Sequence, residues 1–402
     1  MTAVDRNWTG IAAFLLGASG MFASMYSTQA ILPELGRDFG VGPARAGLTV
    51  SVVVLACAVG VWFWGPLSDR LGRRRTMITS SALLVVPTIA AGLAPTFAAL
   101  LVCRTLQGLC MPGLLTVGLP YVMEAFGGWL GGGAMGMYVS SLVAGGLVGR
   151  VGVALVADVA GWRWGVAGLA VLPAAGALLM LRALPDVGVP VRHGTIRTAL
   201  PAQLRNGPLV RTSLAGGCVF FTFVGTFTFV TFRLQEPPFD FGNVGSSLVF
   251  LLWLLGIVGP FAGRFADRVG WRVAALTAIA CAATGLCVSL PAFLPSLVVG
   301  LGLMTFAMFG GATALQLGVL SAAASDRGAA AALYFCVYYT SGALGAYLPG
   351  LAWQAWGWIG VAACGFGALA AAVALLGAVS SNSRGTASST PDAGRRLRTA
   401  RT

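Results

Sequence analysis

The sequence predicts an all-α polytopic membrane protein, with 12 transmembrane helices in two six-helix pseudo-repeats. Three observations lead to this fold class. Of 402 residues, 57% are hydrophobic and 9% are charged, with a mean hydropathy of +0.86, whereas a soluble domain has about 25% charged residues. Long apolar runs recur along nearly the whole chain, and at such lengths only helices satisfy their own backbone in lipid. Related segments also return in the second half of the chain.

The apolar runs fall into two groups of six around a polar gap. The first group lies at residues 11–32, 46–64, 76–94, 97–119, 134–157 and 163–183. The second group lies at residues 212–234, 244–262, 273–291, 296–320, 328–352 and 356–379. We therefore expect an N-terminal half at 1–183, a basic cytoplasmic linker at 184–211, a C-terminal half at 212–379 and a disordered basic cytoplasmic tail at 380–402.

The arginines predict the orientation. All 25 basic residues are Arg, and a cytoplasmic N-terminus places most of them on the cytoplasmic side, which is the bias that natural membrane proteins show. We thus expect a protein of the bacterial inner membrane with both termini on the cytoplasmic side and with its basic clusters near lipid headgroups. The net charge of +13 reflects this topology, so we expect no nucleic-acid partner.

The sequence also argues against an enzyme. The eight cysteines all lie inside apolar runs without paired ligand spacing, and the sole histidine, His193, lies in the linker. No nucleophile with a base, buried acid pair or metal-ligand set is recognisable. We expect no catalytic residue, no metal and no cofactor.

Two internal echoes predict the repeat. The segment GPLSDRLGRRR at 65–75 returns as GRFADRVGWR at 263–272, which places Asp69 and Asp267 198 residues apart. A second echo places Tyr138 196 residues before Tyr334. Parallel six-helix repeats are typical of one class of transporters that hold substrate between the halves near the midplane.

The loop after the second run resembles the signature loop of the major facilitator superfamily. Its pattern G-x-L-S-D-R-x-G-R-R has a weaker echo in the second half. The resemblance implies twelve helices and a conformational latch that joins the halves at the cytoplasmic side in the outward-open state. The residues assigned to this latch are Gly65, Asp69, Arg70, Gly72, Arg73, Gly263, Asp267, Arg268 and Gly270.

The fourth and fifth runs resemble those of bacterial drug-efflux or arabinose-efflux permeases of this superfamily. LVCRTLQGL carries an R-x-x-Q-G motif with Arg104, which the resemblance implicates in proton coupling or substrate orientation. The fifth run departs from the exporter pattern because Arg150 stands where proline is expected. Its small residues predict close helix packing at Gly145, Gly149 and Gly152. For Arg104 a structural alternative remains open, in which it bridges helices within its half.

The predicted substrate-binding residues are the polar and aromatic side chains of the pathway-lining helices. They are Tyr26, Gln29, Arg104, Gln107, Tyr138, Arg150, Phe223, Phe227, Gln316, Tyr338 and Tyr339. An arginine at the centre of a membrane helix costs about 2.5–3.5 kcal/mol on insertion scales, which makes it a functional candidate. For the phenylalanines, packing between helices or against lipid is the competing interpretation.

No acidic residue falls at the middle of a predicted span, so the cavity favours anionic or neutral polar substrates over cations. We expect a monomeric secondary transporter that exports a small neutral or anionic organic compound, with protons as coupling ion. A drug, an antibiotic, a sugar and a metabolite all remain open. The candidate proton carriers are Glu34, Asp69 and Glu124. The alternative is an uncoupled facilitator or an importer of a small metabolite.

Overall fold

The computed structural model describes residues 7–130, 132–187, 196–323 and 327–387. Nearly all of them are helical, and ten of their helices are long and apolar enough to cross a membrane, or eleven if one bent pair counts as a span. His193, which the sequence places in the linker, and the predicted disordered tail beyond residue 387 fall outside the described residues.

The first half contains six spans. They are α1 Trp8–Phe39, α2 Pro43–Leu71, α3 Arg73–Gly92, α4 Phe97–Gly127, α5 Gly133–Ala160 and α6 Trp162–Ala183.

The second half repeats this pattern with α7 Gly207–Gln235, α8, α9 Trp271–Val288 and α10 Leu294–Ala322. Helix α8 is the bent pair Asn243–Gly256 and Phe261–Val269, which meet at 52°. Helix α11 begins as Arg327–Gly345 and continues over 348–356. The chain then reverses at Gly357, whose φ of 54° is not helical, and α12 follows over 358–387. The predicted twelve-helix fold is confirmed.

Most helices extend past the apolar runs that predicted them. Helix α2 reaches Leu71 rather than residue 64, because polar end turns continue a helix beyond its apolar stretch. The segment predicted as linker, 184–211, contains a helix at Ile196–Arg205, and α7 begins within it at Gly207. Helix α12 runs to Ala387, past the predicted end at residue 379.

Backbone torsions reproduce the repeat. Among the described residues, positive φ occurs at three pairs of equivalent turns, namely Gly40 with Asp240, Gly72 with Gly270 and Gly161 with Gly357. Glycine adopts such a conformation without a steric penalty. The two halves therefore share turn geometry as well as sequence echoes.

The two ends of the bundle differ in how the halves meet. At the end that carries the Gly40 turn, here the Gly40 end, α2 packs against α11 across the two halves. A Cβ on Gly47 would lie 2.1 Å from the Ala346 carbonyl oxygen, and one on Gly350 would lie 2.5 Å from Cα of Ala44. Only glycine allows this backbone contact, so the structure is closed at the Gly40 end.

The opposite end, here the Gly72 end, is held by contacts inside each half. Arg74 donates to the carbonyls of Leu181 and Leu184 at the end of α6. Its counterpart Arg272 donates to the Leu376 carbonyl of α12. A cation at a helix C-terminus is favoured by the helix dipole, which applies to Arg74 at the end of α6. Arg272 instead binds a carbonyl within α12. Each arginine thus ties the last helix of its half to the rest of that half.

Candidate functional site

Helix α1 is broken in its second half. It is α-helical over Trp8–Tyr26, forms a 3-10 turn at Gln29–Ile31 and becomes α-helical again over Leu32–Phe39. Pro33 explains the break because it has no N–H and its ring clashes with the carbonyl of residue i−4, which is Gln29. The break leaves backbone carbonyls before it without their usual helical partners.

Arg104 of α4 binds the carbonyls at this break. Its side chain is fully buried, and its Nη1 and Nη2 donate to the carbonyls of Ser24 and Met25 at 2.7 and 2.6 Å. Its Nε donates to the Thr49 carbonyl of α2 at 2.9 Å. The guanidinium therefore caps the first part of α1, and the C-terminal end of the helix dipole supplies the negative charge that an acid would otherwise supply.

Gln107 continues the same network within the N-terminal half. Its Oε1 accepts from Arg104 at 2.7 Å, and its Nε2 donates to Thr88 Oγ1 at 2.9 Å. Arg104 and Gln107 were predicted to bind substrate, but in this structure their polar atoms are used between helices of one half. This geometry matches the alternative interpretation of Arg104, in which it bridges helices within its own half.

Arg150 lies in a different environment. It is fully buried on a π-helical turn, Val148–Gly152, within α5. Its Cζ lies 3.9 Å from the ring centroid of Trp253, 4.3 Å from that of Tyr26 and 4.8 Å from that of Phe250. Three ring faces thus surround the cation, which is favourable because each face is negative.

The hydrogen bonds of Arg150 are incomplete. Nε donates to Gln29 Oε1 at 2.8 Å and Nη1 donates to the Gly146 carbonyl at 2.9 Å. Nη2 is buried and has no partner in the described part of the chain. Buried polar atoms are usually satisfied, so this one is a candidate contact for a ligand.

Arg150 and Gln29 connect the two halves. Gln29 Nε2 donates to Thr228 Oγ1 of α7 at 3.1 Å, and Phe250 and Trp253 belong to a 3-10 segment of α8, Leu248–Val258. We call this group the Arg150 seam; its members are Tyr26, Gln29, Arg150, Thr228, Phe250 and Trp253. Irregular backbone from α1, α5 and α8 meets here, and such backbone at membrane depth is tolerated where protein buries it.

Two predicted phenylalanines extend the seam into an aromatic wall. The rings of Phe223 and Phe227 lie 4.7 Å apart, at 5.1 and 5.9 Å from the Trp253 ring. Trp253 Nε1 is buried without an acceptor among the described residues. The structure therefore brings together five of the residues predicted to bind substrate, namely Tyr26, Gln29, Arg150, Phe223 and Phe227.

Three members of the seam are not among the predicted substrate-binding residues: Thr228, Phe250 and Trp253. The signal available for Trp253 was an indole in the middle of an apolar run, because a buried indole N–H usually has a partner. The Leu248–Val258 segment that carries Phe250 and Trp253 contains no Ser, Thr, Asn, Gln or charged residue.

Other predicted site residues make their contacts elsewhere. Tyr338 of α11 stacks on Phe220 at 3.8 Å, and Tyr339 lies 5.8 Å from Tyr338 in the C-terminal half. In the N-terminal half the Tyr138 hydroxyl donates to the Leu115 carbonyl at 2.9 Å. Gln316 is half-buried on α10.

The predicted latch residues lie at the Gly72 end. Asp69 and Arg70 are exposed, as are Asp267 and Arg268. Gly72 and Gly270 form equivalent turns with φ of 82° and 86°. Arg73 pairs with Glu124 of α4 inside the N-terminal half.

Gly65 and Gly263 are not tightly packed. A Cβ on Gly65 would meet nothing within 4 Å, and one on Gly263 would be 3.9 Å from Thr313. Backbone geometry therefore calls for glycine only at the turn positions of the latch.

The predicted glycine packing occurs at two of three positions. A Cβ on Gly145 would lie 2.2 Å from the Ser19 carbonyl oxygen, and one on Gly149 would lie 2.2 Å from that of Ala23. Helices α5 and α1 thus touch at the backbone. Gly152 differs, because its added Cβ would approach only Val148 of its own helix, at 3.8 Å; it lies in the π-helical turn, on another face.

The described acids lie in the last two turns of helices or in loops. They are Glu34, Asp38, Asp69, Glu124, Asp158, Asp186, Glu236, Asp240 and Asp267. Burial raises the pKa of the Glu236 carboxyl, although Arg233 opposes this change. None of these acids pairs with Arg104 or Arg150 in the described structure.

Asn243, at the start of α8, connects the halves at the Gly40 end. Its Nδ2 donates to Glu34 Oε2 at 2.7 Å and to Asp158 Oδ1 at 3.1 Å, and its Oδ1 accepts from Gln235 Nε2 at 3.0 Å. Arg37 in turn donates to Gln235 Oε1 at 3.3 Å. We call these five residues the Asn243 network.

A family model described as Major Facilitator Superfamily matches residues 13–346. The chain belongs to the major facilitator superfamily. Within this family it is 28% identical to the uncharacterized MFS-type transporter YybF of Bacillus subtilis over 358 residues, which cover 87% of this chain and 88% of that protein. It is 29% identical to the inner membrane transport protein YnfM of Escherichia coli over 360 residues, covering 88% and 86%.

A third relative matches over a shorter region. The multidrug resistance protein MdtM of Escherichia coli is 28% identical over 188 residues, which cover 46% of this chain and 45% of that protein.

Solved structures share the fold at low identity. A mutant of the nucleoside transporter NupG superposes with a TM-score of 0.70 and 14% identity, covering 92% of this chain and 99% of that one. A bacterial homologue of the human lysosomal transporter Spinster gives 0.66 and 15%, covering 93% and 96%. The protein is thus a multi-pass membrane transporter of this family and not an enzyme.

Proposed function

We propose that the protein exports a small neutral or anionic organic compound from the bacterial cytoplasm by alternating access, driven by proton antiport. The observation that carries this proposal is the Arg150 seam: a buried guanidinium between the halves, with one nitrogen unbonded and no described acid as its partner. The protein would act as a monomer in the inner membrane.

The charge at the seam decides the substrate class. In a low-dielectric interior two unit charges interact far more strongly than in water. An uncompensated guanidinium at the site repels a cation, whereas it attracts an anion and donates to a neutral acceptor. Arg104 does not add to this field in the same way because the carbonyls of α1 and α2 bind it.

Orientation follows from the arginines. The Gly72 end carries Arg70, Arg73, Arg74 and Arg75, so the positive-inside bias makes it the cytoplasmic end. The closed Gly40 end then faces the outside, and the described conformation is inward-facing. In the opposite state the halves would close at the Gly72 end, where Asp69 and Arg70 are free to act as the latch.

Export and proton coupling rest on resemblance. The motif around Arg104 is similar to that of exporters, and MdtM, a multidrug resistance protein, is a relative over part of the chain. Glu34, Asp69 and Glu124 are the candidate proton carriers. Of these, Glu34 belongs to the Asn243 network, which has to open when the site faces outward.

The second candidate function is an uncoupled facilitator or an importer of a small metabolite. The absence of an acid beside Arg150 in the described structure favours it, because a proton carrier near the substrate would couple the two most directly. The two functions differ in their response to an imposed pH gradient: facilitated flux is insensitive to it.

The test is accumulation of cationic, neutral and anionic compounds in pump-deficient bacteria that express the protein, each with and without a protonophore. Lower accumulation of anionic or neutral compounds, restored by the protonophore, is the expected result. Expulsion of cations alone would contradict the charge argument. Unchanged accumulation of every compound would favour the facilitator or importer.

A further inference from the structure

We propose that Arg150 Nη2 and Trp253 Nε1 form an anion subsite that binds the carboxylate of a substrate with a flat, apolar body. The inference rests on the proposed function only in placing this subsite on the transport pathway. It adds the chemical class of the substrate and a second donor, Trp253, from the opposite half.

Each of the two side chains has an unsatisfied donor, and the guanidinium lies against the indole ring. Both atoms are buried without a partner among the described residues, and the Arg150 Cζ lies 3.9 Å from the Trp253 ring centroid. A buried donor without an acceptor loses its water without compensation. A ligand that supplies acceptors to both donors would offset that loss.

Arg150 and Trp253 each lack a hydrogen-bond acceptor that a buried Arg and a buried Trp elsewhere in the chain have. Arg104 is equally buried, yet its Nε, Nη1 and Nη2 all donate to oxygen atoms at 2.6–3.1 Å. A second buried indole, that of Trp358, donates through Nε1 to the Ser289 carbonyl at 3.0 Å. The same chain therefore satisfies these two residue types where their role is structural.

Charge and donor number favour a carboxylate. The seam carries one positive charge, which a singly charged carboxylate neutralises. Two oxygens of a planar carboxylate also match two donor atoms, whereas a phosphate presents more oxygens and about −1.5 to −2 charges at neutral pH. Nε and Nη1 of Arg150 are occupied by Gln29 and Gly146, so only the Nη2 edge is free.

The surrounding rings select the rest of the substrate. Tyr26, Phe223 and Phe227 lie 5.7, 5.1 and 5.9 Å from the Trp253 ring. Aromatic rings prefer partners with centroids about 4.5–7 Å apart, in offset or edge-to-face arrangements. A flat apolar body fits this wall, while a sugar-like body would leave its hydroxyls without partners.

The position of the donors makes binding sensitive to conformation. Arg150 comes from α5 of the first half and Trp253 from α8 of the second, and both lie on non-α turns. A π-helical turn inside an α-helix is frequently found at functional sites. A carboxylate that bridges the two donors would bind best when the halves hold them together.

The experiment measures binding to the purified full-length protein with three probes of one shape: 2-naphthoate, its neutral amide 2-naphthamide and the cation 2-naphthylmethylammonium. We expect 2-naphthoate to bind about tenfold more tightly than the amide, the gain expected of a hydrogen bond to a charged group. The cation should bind more weakly than the amide.

Matched variants test the second donor. Trp253→Phe keeps a ring but removes the N–H, and should weaken 2-naphthoate binding about fivefold with little change for the amide. Trp358→Phe removes an indole N–H that already has a protein acceptor, and should leave both affinities unchanged. Arg150→Gln should abolish the preference for the carboxylate; Trp253→Phe keeps the proposal testable if Arg150→Gln fails to fold.

Equal affinity for naphthoate and naphthamide, no binding of naphthoate, or equal effects of Trp253→Phe and Trp358→Phe would each overturn the subsite. Transport is tested separately in proteoliposomes. Flux of a neutral compound without carboxylate binding would leave the proposed function in place and remove the subsite. Carboxylate binding without any flux would leave the subsite in place and remove the proposed function.

Discussion

Gly149 and Gly345 occupy equivalent positions in the two halves, and each lies against a backbone carbonyl of the neighbouring helix. A Cβ on Gly149 would be 2.2 Å from the Ala23 oxygen, and one on Gly345 would be 2.4 Å from the Phe221 oxygen. Helix α5 thus meets α1 as α11 meets α7. Both contacts lie beside helices that form the Arg150 seam, so they set the helix spacing on which the seam depends.

We expect Gly149→Ala and Gly345→Ala to lower the thermal stability of the purified protein. Overpacking of this kind costs about 1–3 kcal/mol, and it is read as a lower apparent Tm in a fluorescence-based size-exclusion assay. The control is Gly136→Ala on α5, because its added Cβ meets nothing within 4 Å. That variant should be at least as stable as the wild type, and a similar Tm for all three would show that the close contacts are not tight.

Arg104→Gln should impair folding rather than substrate binding. The change removes the donors that bind the carbonyls of Ser24, Met25 and Thr49, so the break in α1 loses its cap. Arg104→Lys should not restore a monodisperse protein, because one ammonium does not reproduce the planar fork of a guanidinium. A well-folded Arg104→Gln protein that binds no substrate would instead support the role that the motif suggests.

Arg150→Ala should abolish transport while insertion and folding remain intact. The residue leaves one nitrogen unbonded, so its removal takes less structure away than removal of Arg104. The measurement is substrate flux per unit of inserted, monodisperse protein. Wild-type flux would show that Arg150 is a packing residue.

Asn243→Asp should weaken the closed state at the Gly40 end. It replaces a donor to Glu34 and Asp158 with a third carboxylate, and like charges this close repel one another. Hydrogen exchange of residues 29–39 is the readout, with faster exchange expected.

Ser247→Ala is the control for Asn243→Asp, because the Ser247 hydroxyl donates only to the Val244 carbonyl in its own turn. Equal exchange in both variants would mean that the Asn243 network does not hold the halves together.

Asp69→Asn should slow transport more than it weakens ligand binding. Asp69 is exposed in the described conformation, and a solvent-screened surface charge contributes little to stability, so the thermal stability of this state should change little. Its role as latch belongs to the opposite state. Comparison of the transport rate with the equilibrium Kd separates the two effects. An unchanged transport rate would show that Asp69 does not act as a latch.

The fold was predictable because span length and the repeat are properties of local sequence. Twelve apolar runs were sufficient to define the helices, and the echo around Asp69 and Asp267 paired the halves. Exact helix ends were less predictable, since α2 continues through polar residues to Leu71.

The site was only partly predictable. Arg150 and Gln29 were expected because buried polar residues are costly in a membrane. Phe250 and Trp253 were missed because the Leu248–Val258 segment of α8 is apolar on all sides, and hydropathy then does not tell which face meets the other half. Arg104 was predicted in the cavity from its motif and its depth in a span; the break at Pro33, whose neighbouring carbonyls it binds, was not recognised from the sequence.

The paired turns are the pattern that duplication of a six-helix segment would produce. A duplicated segment passes on its backbone path along with its side chains, and the two then diverge at different rates. At Gly40 and Asp240 the residue has changed while the left-handed turn persists, with φ of 63° and 49°, and aspartate is one of the few residues that tolerates such a turn. At this pair of turns the backbone torsion angles are therefore more alike than the residues that adopt them. The relation between the two halves is easier to recognise there in torsion angles than in residue identity.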